Sequence, residues 1–216
     1  MFMQNIKAKR GPGRPPKIDS EQRSTKERML RSGIELLTEY GFASVGLERV
    51  LKQTGVPKGS FYHYFSSKED FAQQVVVGYG KYFAAKLDLW LLNEQRLPLQ
   101  RIMDFINDGK QGLLRYQFRR GCLVGNMGQE VAATHPLLRD QLEAVFIDWQ
   151  RRIEACLLAA KVAGQIADDV DCAVWANYFW IGWEGAILRA KLSQSVTSVD
   201  VFTKIYFASL PGCNME

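Results

Sequence analysis

Histidine is nearly absent from this chain: His63 and His135 are the two in 216 residues, and they lie far apart. A histidine-built metal centre or catalytic triad has too few parts here. The four cysteines, Cys122, Cys156, Cys172 and Cys213, form no CxxC pair, which argues against a zinc site and a disulfide scaffold. No run of about 18 apolar residues exists, so no membrane span is expected. The opening MFMQNIKAKRGPGRPPK is basic but lacks an apolar core, unlike a secretory signal. No internal repeat is found and no cofactor is expected. These absences point to a cytoplasmic, non-membrane protein. They also disfavour an enzyme, since a Cys122 nucleophile would have no histidine placed to act as its base.

What is present is a chain 47% apolar, ample for one large domain or two modest ones. Its net charge of +5 is unevenly placed. Residues 1–18 hold Lys7, Lys9, Arg10, Arg14 and Lys17 with no acid, giving +5. Residues 19–68 add 8 bases against 6 acids, and residues 69–216 carry 15 bases against 17 acids. All the excess positive charge therefore sits in the N-terminal third, which favours a polyanion partner there.

That third contains VGLERVLKQTGVPKGSFYHYFSSKEDF at residues 45–71. The spacing predicts a helix over residues 46–54 with Leu47, Val50 and Leu51 on one face. Gly55 provides the turn, and Pro57 sits just inside the start of a second helix over residues 58–65. Phe61, Tyr64 and Phe65 point inward on that helix, leaving Lys58, Gly59, Ser60, Tyr62 and His63 for a partner. Lys68 opens the next helix within reach of a flanking phosphate, and Gly46 brings backbone near the same surface. An earlier helix is expected over residues 21–40, with Met29, Gly33, Leu36 and Leu37 inward. Ahead of it, residues 1–19 form a basic arm whose Gly-Arg-Pro core is either a solvating tail or a minor-groove contact through Arg14.

Residues 55–71 resemble, almost residue for residue, the DNA-binding signature of the TetR family of bacterial repressors. The resemblance implies an all-α chain. A three-helix helix-turn-helix domain (residues 20–67) would precede a helical ligand-binding and dimerisation domain (residues 68–216). It also implies a homodimer on a near-palindromic double-stranded operator, released by a small-molecule effector.

Downstream, helices are expected over residues 68–93, 99–118, 122–134, 135–162, 171–193 and 198–210. The helix over 171–193 is apolar nearly all round, with Gly182, Gly185, Ala186 and Ala190 among bulky residues. Such a helix needs burial on every side, one face by its own domain and another by a second subunit.

FRRGCLVGNMGQE at residues 118–130 and FWIGWEGAILRAKL at residues 179–192 resemble a subgroup of that family, the acrylate-responsive repressors of acrylate and dimethylsulfoniopropionate catabolism. More distantly they resemble the repressor of N-ethylmaleimide reductase, whose matching Cys and Lys are a redox-sensing pair. That resemblance implicates Cys122 and Lys191. Cys122 follows Arg119 and Arg120 at an expected helix start, a setting that lowers a thiol pKa. The opposing expectation is a buried, inert thiol. Arg120, among nearby cations, is a candidate partner for a carboxylate ligand. Trp180, Trp183, Ile187 and Lys191 share a helix face that would wall a pocket, with Trp149 closing it. Asn126 and Glu130 are placed to face either pocket or solvent, and Glu184 is expected to need an arginine partner. Two triggers follow: reversible binding of a small unsaturated carboxylate such as acrylate, or modification of Cys122, with or without Lys191.

Overall fold

The computed structural model describes residues 17–215, with side chains from Ser24 onward. Among the described residues there are nine helices and no strand: α1 (Lys17–Tyr40), α2 (Leu47–Thr54), α3 (Lys58–Phe61), α4 (Lys68–Leu91), α5 (Pro98–Arg115), α6 (Leu123–Val131), α7 (Pro136–Val162), α8 (Cys172–Ser193) and α9 (Thr197–Ser209). The all-α expectation therefore holds. Four helix ends differ from expectation by three residues or more; α5 stops at Arg115, not at residue 118, and α6 at Val131, not at residue 134. Residues 17–19, assigned above to the basic arm, are already helical, and Arg14 falls outside the described residues. The helix expected over 58–65 stops at Phe61. There, His63 N donates to Ser60 O (3.2 Å) and Tyr64 N to Phe61 O (2.9 Å), three-residue turns that leave only Phe65 N to Phe61 O (3.1 Å) in the α-helical register.

Local chemistry sets most helix ends. Gly55 closes α2 in the left-handed region (φ 68°), its N–H bonded to Leu51 O. At the head of α4 the Ser67 hydroxyl accepts from Asp70 N (3.0 Å) while Asp70 accepts from Ser66 N (2.7 Å), a reciprocal cap. Asp171 caps α8 by accepting from Ala173 N and Val174 N, both at 3.1 Å. Pro98 and Pro136 open α5 and α7, where a missing N–H costs no helical bond.

α4 ties the molecule together by packing against α1, α5 and α7. Gly33 permits the first of these contacts, because Phe71 and Val75 occupy the place a Cβ there would take. Phe61, Phe65 and Phe71 interlock edge-on beneath α2 and α3 and hold the helix-turn-helix on α4. The other end of the core is an aromatic mass of Phe83, Phe105, Trp149, Phe179, Trp180 and Tyr206. No helix among the described residues is long and apolar enough to cross a membrane.

Candidate functional site

Two surfaces carry chemistry. The first is the turn and short helix after α2. Lys58, Gly59, Tyr62 and His63 are exposed, and Ser60 is half-buried beside them. Tyr62 is 55% exposed, although its neighbour Phe61 is fully buried. The burial of Phe61 and Phe65 thus forces the intervening polar side chains outward. Among the described residues, nothing beyond the local backbone lies within 4 Å of a Cβ built on Gly46 or Gly59, so neither glycine is required by internal packing there. Both leave the backbone open to close approach from outside. Lys68 also makes a contact within the chain. Its Nζ donates to Phe42 O at 2.9 Å and lies 4.4 Å from the centre of the Phe42 ring. The cation therefore helps hold the α1–α2 loop, a use that linear sequence does not reveal.

The second is a cavity of about 570 Å³, partly open to solvent, where α1, α4, α5 and α8 meet the segment ending at Cys122. Its apolar wall includes Phe83, Phe105, Leu113, Trp183 and Ile187. Gly109 makes room for Trp183, whose ring fills the space a Cβ there would need. The opposite wall comes from α1, through Leu30, Arg31, Ile34, Glu35 and Thr38. Three cations line it. Lys86 is paired with Asp108 (2.6 Å), and Arg120 lies within ion-pair reach of Glu39 and Glu35 and over the Tyr116 ring. Arg31 makes no ion pair among the described residues.

The sequence-derived pocket residues separate here. Cys122, Arg120, Trp183 and Ile187 line the cavity. Trp149 and Trp180 do not: their rings pack against each other at a tilt, 5.1 Å between centres, inside the core behind Phe83. Helical spacing put Trp180 and Trp183 on one face, but an aromatic core wide enough to take both rings assigned them to different neighbours. Lys191 lies over Gly121, half-buried, beside the cavity lining. Burial lowers its pKa, while the nearby Cys122 acts in the opposite direction. Asn126 turns away and donates to Thr38 O at 3.1 Å. Glu130 likewise leaves both alternatives named for it, accepting from Phe42 N (3.2 Å) and Ala43 N (2.8 Å). Its carboxylate occupies the place a Cβ on Gly41 would take, and Gly41 has φ 82°.

Cys122 caps α6, and its Sγ accepts from Gly125 N at 3.5 Å. A helix N-terminus lowers a thiol pKa, but the side chain is only 6% exposed. Burial, and after it the Glu184 carboxylate, push the thiol well above its ordinary value. The expected thiolate is therefore reversed to a neutral thiol. Arg119 and Arg120, expected to acidify it, are instead turned towards Glu39 of α1. Among the described residues Glu184 has no arginine partner; its carboxyl faces Cys122 and Gly125, and burial pushes it up to about 7.

The α1 wall of the cavity, and Tyr79, Tyr82 and Phe83 of α4, were not anticipated. A signal existed in α1, where Leu30 and Ile34 form a second apolar strip beside the core strip of Met29, Leu36 and Leu37.

Comparison with known proteins follows this division. The family described as "Bacterial regulatory proteins, tetR family" matches residues 29–75, and "Tetracyclin repressor-like, C-terminal domain" matches residues 98–206. The chain is 44% identical over 178 residues to the transcriptional regulator AcuR of Cereibacter sphaeroides, spanning 82% of this chain and 81% of that one. It is 28% identical over 181 residues to the transcriptional repressor NemR of Escherichia coli, spanning 81% and 87%. The crystal structure of a regulatory protein TetR from Rhodobacter sphaeroides superimposes with a TM-score of 0.81 at 43% identity, covering 84% of this chain and 96% of that one. With its helix-turn-helix and a ligand-sized cavity beneath it, the chain belongs to the TetR family of ligand-responsive transcription regulators.

Proposed function

We propose that the protein is a homodimeric repressor that leaves its operator when a small unsaturated carboxylate, acrylate foremost, occupies the cavity. The observation that carries this reading is the position of the cavity: one wall is α1, which also packs on α2 of the helix-turn-helix. To shift the population, a ligand there must contact the DNA-bound and released arrangements differently, and a wall shared with the helix-turn-helix provides the means. The acid's identity rests on the resemblance of residues 118–130 and 179–192 to acrylate-responsive repressors. Arg31, the lining cation with no ion pair among the described residues, is the proposed anchor for the acid, with the alkene against Phe105 and Trp183.

On the DNA side, Lys58 and Tyr62 contact phosphates, and Ser60 and His63 lie against the major groove. Two such elements in a dimer would read half-sites about one helical turn apart. The proposed dimer seam is the outer face of α8 and α9. Val174, Tyr178, Ile181, Leu188 and Leu192 make an exposed apolar stripe along α8, continued by Val201 and Ile205 on α9. Gly185, open on its Cβ side, lies within that stripe.

The second trigger, modification of Cys122 with or without Lys191, is favoured by one observation: the thiol lines the cavity and Lys191 lies next to Gly121. A gel shift on the DNA upstream of the protein's own gene separates the two. Release by millimolar acrylate, with binding restored on dialysis and retained response in Cys122→Ser, supports the reversible reading. Release by hypochlorite or methylglyoxal in wild type but not in Cys122→Ser, with acrylate inert, overturns it.

A further inference from the structure

Glu184 sits in a helix otherwise apolar on nearly every side, and the reading above gives it no role. Its carboxyl is packed onto α6, with Oε2 where a Cβ on Gly125 would be. The same Gly125 donates its N–H to Cys122 Sγ, so carboxyl and thiol converge on one residue. Glu184 Oε1 is buried and has no hydrogen-bond partner among the described residues. The remaining titratable groups near the thiol are Tyr79 from α4 and Lys191 from α8. A buried carboxylate held against a thiol opposes thiolate formation, because two like charges in a low-dielectric site do not form together readily.

We propose that Glu184 is a positioning residue that holds Cys122 as a neutral thiol, so that the cavity admits electrophiles without being alkylated by them. Addition to an activated alkene needs the thiolate. Its sulfur lone pair forms the new S–C bond, the alkene π pair moves to the adjacent carbon, and that carbon takes a proton from water. The thiol proton must therefore leave first. With Glu184 charged, it would leave behind a second negative charge beside the carboxylate. If the effector is an unsaturated acid, which rests on the reading above, Glu184 keeps the sensor reversible. The chemistry of the thiol itself does not depend on that reading.

The test is the rate of N-ethylmaleimide addition to the intact, full-length protein, followed by mass spectrometry with peptide mapping. Wild type, Glu184→Gln and Glu184→Met are compared, with Cys122→Ser to assign the signal. Because Glu184 is near its midpoint at about pH 7, removing the charge is expected to speed labelling of Cys122 about twofold there and about tenfold at about pH 8, where wild type carries the charge. The pH profile of that rate should move to lower pH, while the rates at Cys156, Cys172 and Cys213 stay unchanged. The methionine variant provides the same comparison if the glutamine variant does not fold. Three outcomes overturn the proposal. Unchanged labelling means that burial alone protects the thiol, and slower labelling means that Glu184 draws the proton off as a base. Acceleration at all four cysteines means that the substitution merely loosens the fold. None of these depends on whether acrylate releases DNA, so failure here is distinguishable from failure of the effector assignment.

Discussion

Because burial pushes the Glu184 carboxyl up to about 7, the folded chain keeps a proton there at pH values where the unfolded chain has released it. The sign follows from linkage. This contribution to stability is complete below the ordinary carboxylate range and is lost as pH rises through about 7. For a side chain whose carboxyl is buried but whose stem is partly exposed, the loss is about 2 kcal/mol. Glu184→Gln is therefore expected to be more stable than wild type near pH 8 and to show a flatter decline between about pH 5 and pH 8. Urea midpoints across that range check it; a steeper decline in the variant would contradict the burial argument.

A second contrast at this scale concerns two lysines of the DNA-binding region. Lys58 is exposed, whereas Lys68 is bonded to Phe42 O. Lys58→Ala is expected to reduce the salt slope of operator binding by about one, with little change in melting temperature. Lys68→Met should instead lower stability by about 1 kcal/mol and leave the slope nearly unchanged. Equal slopes for Lys58→Ala and wild type would remove Lys58 from the phosphate contacts.

Among the elements, α6 joins α1 and α4 in touching both functional regions. Its N-cap, Cys122, lines the cavity; Asn126 holds Thr38 of α1; and Glu130 near its end holds the α1–α2 loop through two backbone amides. If α6 moves as a unit, a displacement at Cys122 would be passed to the loop that leads into α2, which makes Glu130 the residue to test. Glu130→Ala is expected to keep operator binding within a few-fold while raising the effector concentration for half-release about tenfold. Fluorescence anisotropy of labelled operator measures both quantities, and unchanged half-release would exclude α6 as the relay.

At the scale of the whole molecule, the apolar stripe on α8 and α9 needs an explanation. Ile181 is 65% exposed and Leu192 71% exposed, on a helix whose other faces are buried. Ile181→Glu is expected to convert the dimer to a monomer in sedimentation at micromolar concentration and to weaken operator binding by at least about 100-fold, because a single half-site contact remains. The cavity and its pairing network should survive, so acrylate should still shift the monomer's melting temperature. A variant that stays dimeric would move the seam elsewhere.

The primary sequence by itself determined the helix-turn-helix, the helical class and most helix ends. Those features rest on local chemistry: the αL turn at Gly55, the Ser67 cap, the prolines at helix starts, and apolar spacing at 3.6 residues. It also carried Cys122, Trp183 and Ile187, through a motif and a shared helix face. Only tertiary structure decided which of the aromatic residues became core and which became wall, since Trp180 and Trp183 differ by what packs against them and not by periodicity. The same holds for the charges. Lys68, Glu130 and Glu184 are ordinary ionisable residues in the linear chain, and their roles arise from neighbours 26, 88 and 62 positions away, respectively. The protonation of Cys122 is the clearest case. Its sequence neighbours are two arginines and a helix start, which favour a thiolate, but burial against Glu184 prevails because removing a charge from water costs more than a helix N-terminus returns.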